Sequence, residues 1–197
     1  MNEILIVQYF NRLGLGGSAD FLTSFVSYIP FIIVLWIALG VLAVLFDKKD
    51  GKIIFIAAVI AIALHFLISE AILKHAILTF FPIRVRPYLA HPGEIILVAK
   101  QSIGSLVLTK NFVDSSFPSS HMASTLAVLT VFVYFYKKTW PLALLFVLFM
   151  AYSRMHLGMH YPTDVLAGTL LGIGYGALAL IITKRIFKKK KKGKKSK

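Results

Sequence analysis

Long apolar stretches alternate with short polar ones along the chain. Residues 21–46 carry no charge and exceed the ~20 apolar residues a spanning helix needs, even across Pro30. Residues 53 to about 74 follow, then 122–136, 140 to about 157, and 165–183. The pattern predicts five spans. Ahead of them, residues 2–13 place Ile4, Leu5, Tyr9, Phe10 and Leu13 among polar neighbours, the signature of an amphipathic interfacial helix. Two further apolar pieces, 95–98 and 103–108, are interrupted by Lys100, Gln101, Ser102 and Gly104, and read as a re-entrant or interfacial element. Gly168, Gly172 and Gly176 recur every fourth residue in the last span, a spacing that lets helices pack closely in lipid. The expected fold is all-α, a polytopic membrane helix bundle of about five transmembrane helices.

Composition narrows the class. The chain has 197 residues, 58% hydrophobic and only 15% charged, with a mean hydropathy of +0.79. A soluble core of this size cannot hide that much apolar surface, and disorder is excluded by the same numbers. One membrane-embedded domain, 1–187, and a basic tail, 188–197, are expected. There are no cysteines, so disulfides, thiolate metal sites and cysteine nucleophiles are excluded.

Charge orients the chain. The net charge is +14, but ten of the 22 Lys and Arg residues lie at or beyond Lys184. Nucleic-acid binding is one reading of such a run. On a hydrophobic chain a cytoplasmic tail lying on anionic lipid is the favoured one, with no nucleic-acid partner. Asp47-Lys48-Lys49-Asp50-Gly51-Lys52 separates spans one and two, and Lys137-Lys138 separates spans three and four. These loops share a side with the tail in a five-span chain, and the positive-inside rule makes that side cytoplasmic. The segments 75–120 and 158–164 then lie outside.

Those outer segments carry three polar clusters, each at the mouth of a span: Arg84-Val85-Arg86-Pro87 with Lys74 upstream, Phe117-Pro118-Ser119-Ser120-His121, and Ser153 to Asp164. Ionisable residues at such depth are costly and point to function. Arg86 and Arg154 offer forked donors for an oxyanion. Ser119-Ser120-His121 opens a helix, whose free N–H groups favour phosphate. His160 precedes Pro162 and Asp164, and a carboxylate there can hold an imidazole in one tautomer. A nucleophile, its orienter, an acid in His121 and an anion clamp are the parts needed for phosphoryl transfer. A metal site on His156, His160 and Asp164, spaced i, i+4, i+8, is the rival reading, but Pro162 interrupts any shared helix. His65, His75 and His91 are expected to be satisfied interfacial residues.

These residues resemble the type-2 phosphatidic acid phosphatase family of membrane lipid phosphatases, related to the vanadium haloperoxidases. The family's third motif, S-R-x5-H-x3-D, is matched in full by Ser153-Arg154, His160 and Asp164. The second, P-S-G-H, reads Pro118-Ser119-Ser120-His121 here, with serine for glycine. The first, K-x6-R-P, is met by Arg86-Pro87, but Thr79 stands at the lysine position and Lys74 lies five residues too early. A second span ending near Lys74 is about 33 Å long and fits a bilayer, whereas one running to Phe81 is about 43 Å and does not. Lys74 is therefore favoured as the phosphate lysine, with Arg84, Lys100 or Lys110 as substitutes.

The resemblance implies roles. His160 is the nucleophile, Asp164 orients it, and His121 protonates the leaving oxygen and later activates water. Arg86, Arg154, Ser119, Ser120 and Lys74 hold the phosphate oxygens. The cations supply the positive charge, so no metal and no cofactor is expected. The implied activity is metal-independent hydrolysis of a lipid phosphate or diphosphate through a phosphohistidine. Undecaprenyl diphosphate is the favoured substrate. Phosphatidate, phosphatidylglycerol phosphate or a phosphotransferase reaction are the alternatives.

Overall fold

The computed structural model describes residues 2–77, 84–98 and 115–195. Its elements are α1 (Glu3–Arg12), α2 (Ser18–Val26), α3 (Ile29–Phe46), α4 (Gly51–His65) continued by a π-helix (Phe66–Ile77), a short α5 (Pro87–Ala90), α6 (Ser120–Phe135), a 3₁₀ turn (Lys137–Thr139), α7 (Trp140–His156) and α8 (Pro162–Lys195). The described residues are all-helical apart from loops and one isolated bridge, Pro92 to Ile95.

Among the described residues, three helical stretches are long and apolar enough to cross a membrane: Ile29–Phe46, Gly51–Lys74 and Pro162–Lys188. The outward faces carry many large apolar side chains. Val34, Leu45, Leu145 and Leu170 are each more than 60% exposed. In water such faces would aggregate; in lipid they are the expected surface.

The first predicted span is not one helix. α2 ends at Val26, and α3 begins at Ile29 with Pro30 in its first turn. Proline inside a helix removes a backbone donor and clashes with the carbonyl four residues back, whereas in the first turn it costs nothing. The chain breaks at Ser27–Tyr28 and restarts, so only the C-terminal part of 21–46 has spanning length. α1 packs on the bundle through Val7 and Asn11, both fully buried. The Asn11 amide donates to the carbonyls of Ile96 (2.8 Å) and His156 (2.7 Å), and its oxygen accepts from the Ile96 N–H. Ile95 and Val98, the first apolar piece of the proposed re-entrant element, are buried against this seam. Residues 103–108 lie outside the described residues.

The core joins α3, α4, α6, α7 and α8 around Ile54, Ala57, Ala61, Ala123, Ala127 and Tyr175. The glycine ladder does what its spacing predicts. A Cβ at Gly168, Gly172 or Gly176 would stand 2.5, 2.4 and 2.7 Å from the carbonyl oxygens of Ser119, Ala123 and Ala127. α8 thus lies with its backbone directly on α6, turn for turn.

The basic turns share one end. The Tyr136 hydroxyl donates to Asp47 (3.0 Å), joining the turn after α3 to the turn after α6. Lys184 of α8 donates to the Tyr134 hydroxyl and lies over its ring at 4.0 Å. The three polar clusters occupy the opposite end.

Candidate active site

Local backbone rules place the third cluster. α7 ends in a Schellman turn: the Gly158 N–H bonds the Met155 carbonyl (2.9 Å) and the Met159 N–H bonds the Arg154 carbonyl (3.1 Å). Gly158 takes the left-handed conformation this turn requires, φ +70°. The reversal carries His160 back beside Arg154, whose carbonyl also accepts the His160 N–H. α8 then starts at once. Pro162 occupies its first position, and Asp164 reaches back to accept the Tyr161 N–H at 2.8 Å, one half of a capping box.

The second cluster is locked onto the third. The Ser119 N–H donates to the Asp164 carbonyl (3.1 Å), so α6 and α8 begin at the same point. Ser119 caps α6 without using its side chain, whose hydroxyl is buried and has no partner among the described residues. The first cluster joins through backbone pairing of the Ser116 N–H with the Arg84 carbonyl (2.8 Å). Arg86 is buried and donates to the Met159 carbonyl (3.3 Å).

His160 sits where the three meet, 2% exposed. Its Nδ1 lies 2.7 Å from the Ser116 carbonyl, which can only accept, so Nδ1 carries the proton. Nε2 is left as the basic nitrogen and lies 3.4 Å from Arg86 Nη1. Burial, reinforced by the Arg154 and Arg86 guanidinium groups, holds its pKa well below the ordinary imidazole value of 6.5. His160 is therefore a neutral base at physiological pH. Arg154 is also buried, and its Nε has no hydrogen-bond partner among the described residues.

Asp164 is fully buried, 3.8 Å from His160 Nδ1. Its direct partners are the Tyr161 N–H and Arg84, whose Nη1 donates to Oδ1 at 2.5 Å. Arg84 also pairs with Glu3 of α1, donates to Thr163 and stacks over Tyr161 at 4.3 Å. Arg84 is thus already engaged with Asp164 and Glu3. Burial pushes the Glu3 carboxyl up, but Thr163 and Arg84 outweigh it and hold the carboxyl below its usual range.

His121 is half-buried, and its Nε2 donates to the Ser27 carbonyl at 2.9 Å. That carbonyl is available because the Pro30 break makes Tyr28 the first acceptor of α3. Ser153 fastens the same break, bonding the Ser27 hydroxyl (2.5 Å) and the Thr23 carbonyl (2.9 Å). Lys74 reaches the second cluster: Nζ donates to the Ser120 hydroxyl (2.5 Å) and lies 3.2 Å from Glu70. Thr79, Lys100 and Lys110 lie outside the described residues.

Other histidines serve elsewhere. His156 points away from His160: its Nε2 meets Asp20 (2.9 Å) and its Nδ1 the Phe10 carbonyl (3.1 Å), tying α1 and α2 to α7. The metal set therefore does not converge. His65 is buried within the bundle, 2% exposed, with Nε2 3.9 Å from Glu70. His91 is half-buried, and the side chain of His75 lies outside the described residues. Ser27, Ser116, Glu70 and Glu3 contact the predicted clusters without being announced by the motifs. The charge of Glu70 inside an apolar stretch was the one available signal.

Comparison with known proteins places the chain in a family. The chain is 39% identical over 66 residues to the bacitracin transport permease protein BcrC of Bacillus licheniformis, covering 34% of this chain and 32% of that protein. It is 33% identical over 94 residues to the undecaprenyl-diphosphatase BcrC of Bacillus subtilis, covering 47% and 42%. It is 36% identical over 63 residues to the lipid A 4'-phosphatase of Bacteroides thetaiotaomicron, covering 30% and 27%. The aligned region thus spans less than half of each of these relatives. No solved structure matches. Residues 53–188, which hold all three clusters, match the PAP2 superfamily, and the chain belongs to it.

Proposed function

We propose that this protein is a multi-pass membrane enzyme that hydrolyses a lipid phosphate or diphosphate through a phosphohistidine. The carrying observation is His160: neutral, held by the Ser116 carbonyl at Nδ1, with Nε2 facing Arg86. Nε2 attacks phosphorus in line, and the phosphorus–oxygen bond to the lipid breaks. His121 acts as the imidazolium, which the bound phosphate's negative charge favours: Nε2–H stays on the Ser27 carbonyl, and Nδ1–H gives the leaving oxygen its proton, which leaves Nδ1 as a base. In the second step His121 removes a proton from water, the water oxygen attacks phosphorus, and the phosphorus–nitrogen bond breaks to release phosphate. Arg86, Arg154, Ser119, Ser120 and Lys74 hold the equatorial oxygens. The Arg154 Nε and Ser119 hydroxyl, buried and without a partner among the described residues, support this role, since such groups are costly unless a ligand engages them. Asp164 supports His160 through charge at 3.8 Å, and Arg84 holds that carboxylate in place.

The relative named undecaprenyl-diphosphatase in Bacillus subtilis favours undecaprenyl diphosphate as substrate. α6 and α7, about 24 and 25 Å long, complete a five-span arrangement. α1 then lies at the interface beside the site. The basic end and tail face the cytoplasm on anionic lipid, and the site opens to the opposite side.

Phosphate release from a panel of purified lipids in detergent, with EDTA present, tests the reading. Undecaprenyl diphosphate should turn over, and acid-sensitive, base-stable phosphate should appear on the wild type and vanish in His160→Ala. Label on a serine, or activity that needs a divalent metal, would refute it.

A further inference from the structure

Glu70 is out of place. It is an acidic side chain on a membrane-length helix, and it sits beside the cations proposed to receive a phosphate. A carboxylate there repels the substrate and is costly to desolvate. Its contacts explain why it is tolerated. The Ser120 hydroxyl donates to Glu70 Oε1 at 2.5 Å, Lys74 Nζ donates to the Ser120 hydroxyl at 2.5 Å, and Lys74 Nζ stands 3.2 Å from the same Oε1. The three groups form a closed triangle. Lys74 is 7% exposed in it and Glu70 26%.

Two departures from the family pattern meet in this triangle. The lysine comes five residues early, and serine replaces the glycine of the second motif. A glycine could not bridge Lys74 to Glu70. The π-helix Phe66–Ile77 carries both charged residues, and such helices are rare and concentrated at functional sites. An ammonium has three donors, so two can be held by the triangle while the third stays available to an oxyanion.

We infer that Glu70 is a positioning residue, which with Ser120 holds the displaced Lys74 at the start of α6 for the phosphate. This rests on the phosphatase reading above. The role is separable from mere stability, because it predicts that Glu70 matters to turnover only while Lys74 is present.

The test is a double-mutant cycle in the full-length protein, with farnesyl diphosphate as soluble probe. Glu70→Gln should lower kcat at least tenfold and change KM less than threefold, since it removes repulsion along with the hold on lysine. Glu70→Asp, which keeps the charge, should recover much of that loss. In a Lys74→Ala background Glu70→Gln should change kcat less than twofold. A tenfold loss in both backgrounds, or a loss confined to KM, overturns the inference. If Glu70→Gln does not fold, Ser120→Gly reads the same coupling, with a several-fold loss that disappears without Lys74. If the wild type releases no phosphate, the phosphatase reading has failed on its own. Thermal protection by inorganic phosphate then decides: a Glu70→Gln effect that depends on Lys74 supports the positioning role, and one independent of Lys74 sinks it.

Discussion

In the proposed reaction His160 can attack only while its Nε2 lone pair is free, and burial beside two guanidinium groups keeps it so. The sign of the effect fixes the pH behaviour. A lowered imidazole pKa leaves the neutral form populated below pH 6.5, so the acid limb of kcat/KM should lie well below that value. Arg154→Met removes a repelling cation and should move the limb of the residual activity upward. A wild-type limb at an ordinary histidine pKa would show that the free enzyme does not hold His160 as described. His160, Asp164, Arg154 and Arg86 were readable in the chain because each is a side chain at a fixed motif spacing. The Ser116 and Ser27 carbonyls that hold the two histidines were not. A backbone oxygen has no residue signature, and only the fold decides which carbonyl faces a ring. Glu70 was visible as a charge, but its partner Ser120 lies 50 residues away.

At the scale of elements, the packing of α6 on α8 is what brings the second and third clusters together, since Ser119 N–H meets the Asp164 carbonyl at the top of the same contact. That seam was legible because small residues recur at Gly168, Gly172 and Gly176. The break at Ser27–Tyr28 was less so: hydropathy runs unbroken across it, and only Pro30 marks it. The glycines supply a paired test. A side chain at Gly172 meets the Ala123 carbonyl at 2.4 Å, backbone that cannot yield without parting the helices. At Gly174 a Cβ meets nothing within 4 Å. Gly172→Val should lower the melting temperature in detergent and cut activity more than tenfold. Gly174→Ala should leave both unchanged or raise stability slightly, as helix propensity favours alanine by up to ~1 kcal/mol. Equal tolerance at both positions would show that α6 and α8 do not touch there.

Across the whole molecule, the two ends differ in chemistry, and the proposed function depends on which faces outward. Tyr136 to Asp47 and Lys184 to Tyr134 gather the basic turns at one end, while Arg86, His121 and His160 lie at the other. A lipid carrier dephosphorylated outside the cell must reach the second end from the outer leaflet. Leu89, half-exposed on α5 beside Arg86, and Lys138, exposed in the turn after α6, report the two ends. The chain has no cysteine, so a single introduced thiol is unambiguous. In intact cells Leu89→Cys should react with an impermeant maleimide, and Lys138→Cys should react only after the membrane is opened. Both variants keep every motif, so each should retain activity when purified, which ties the labelled state to the working fold. Reaction of both thiols in intact cells, or of Lys138→Cys alone, would invert or break the five-span arrangement. The site would then open toward the cytoplasm, where the positive-inside rule does not place it.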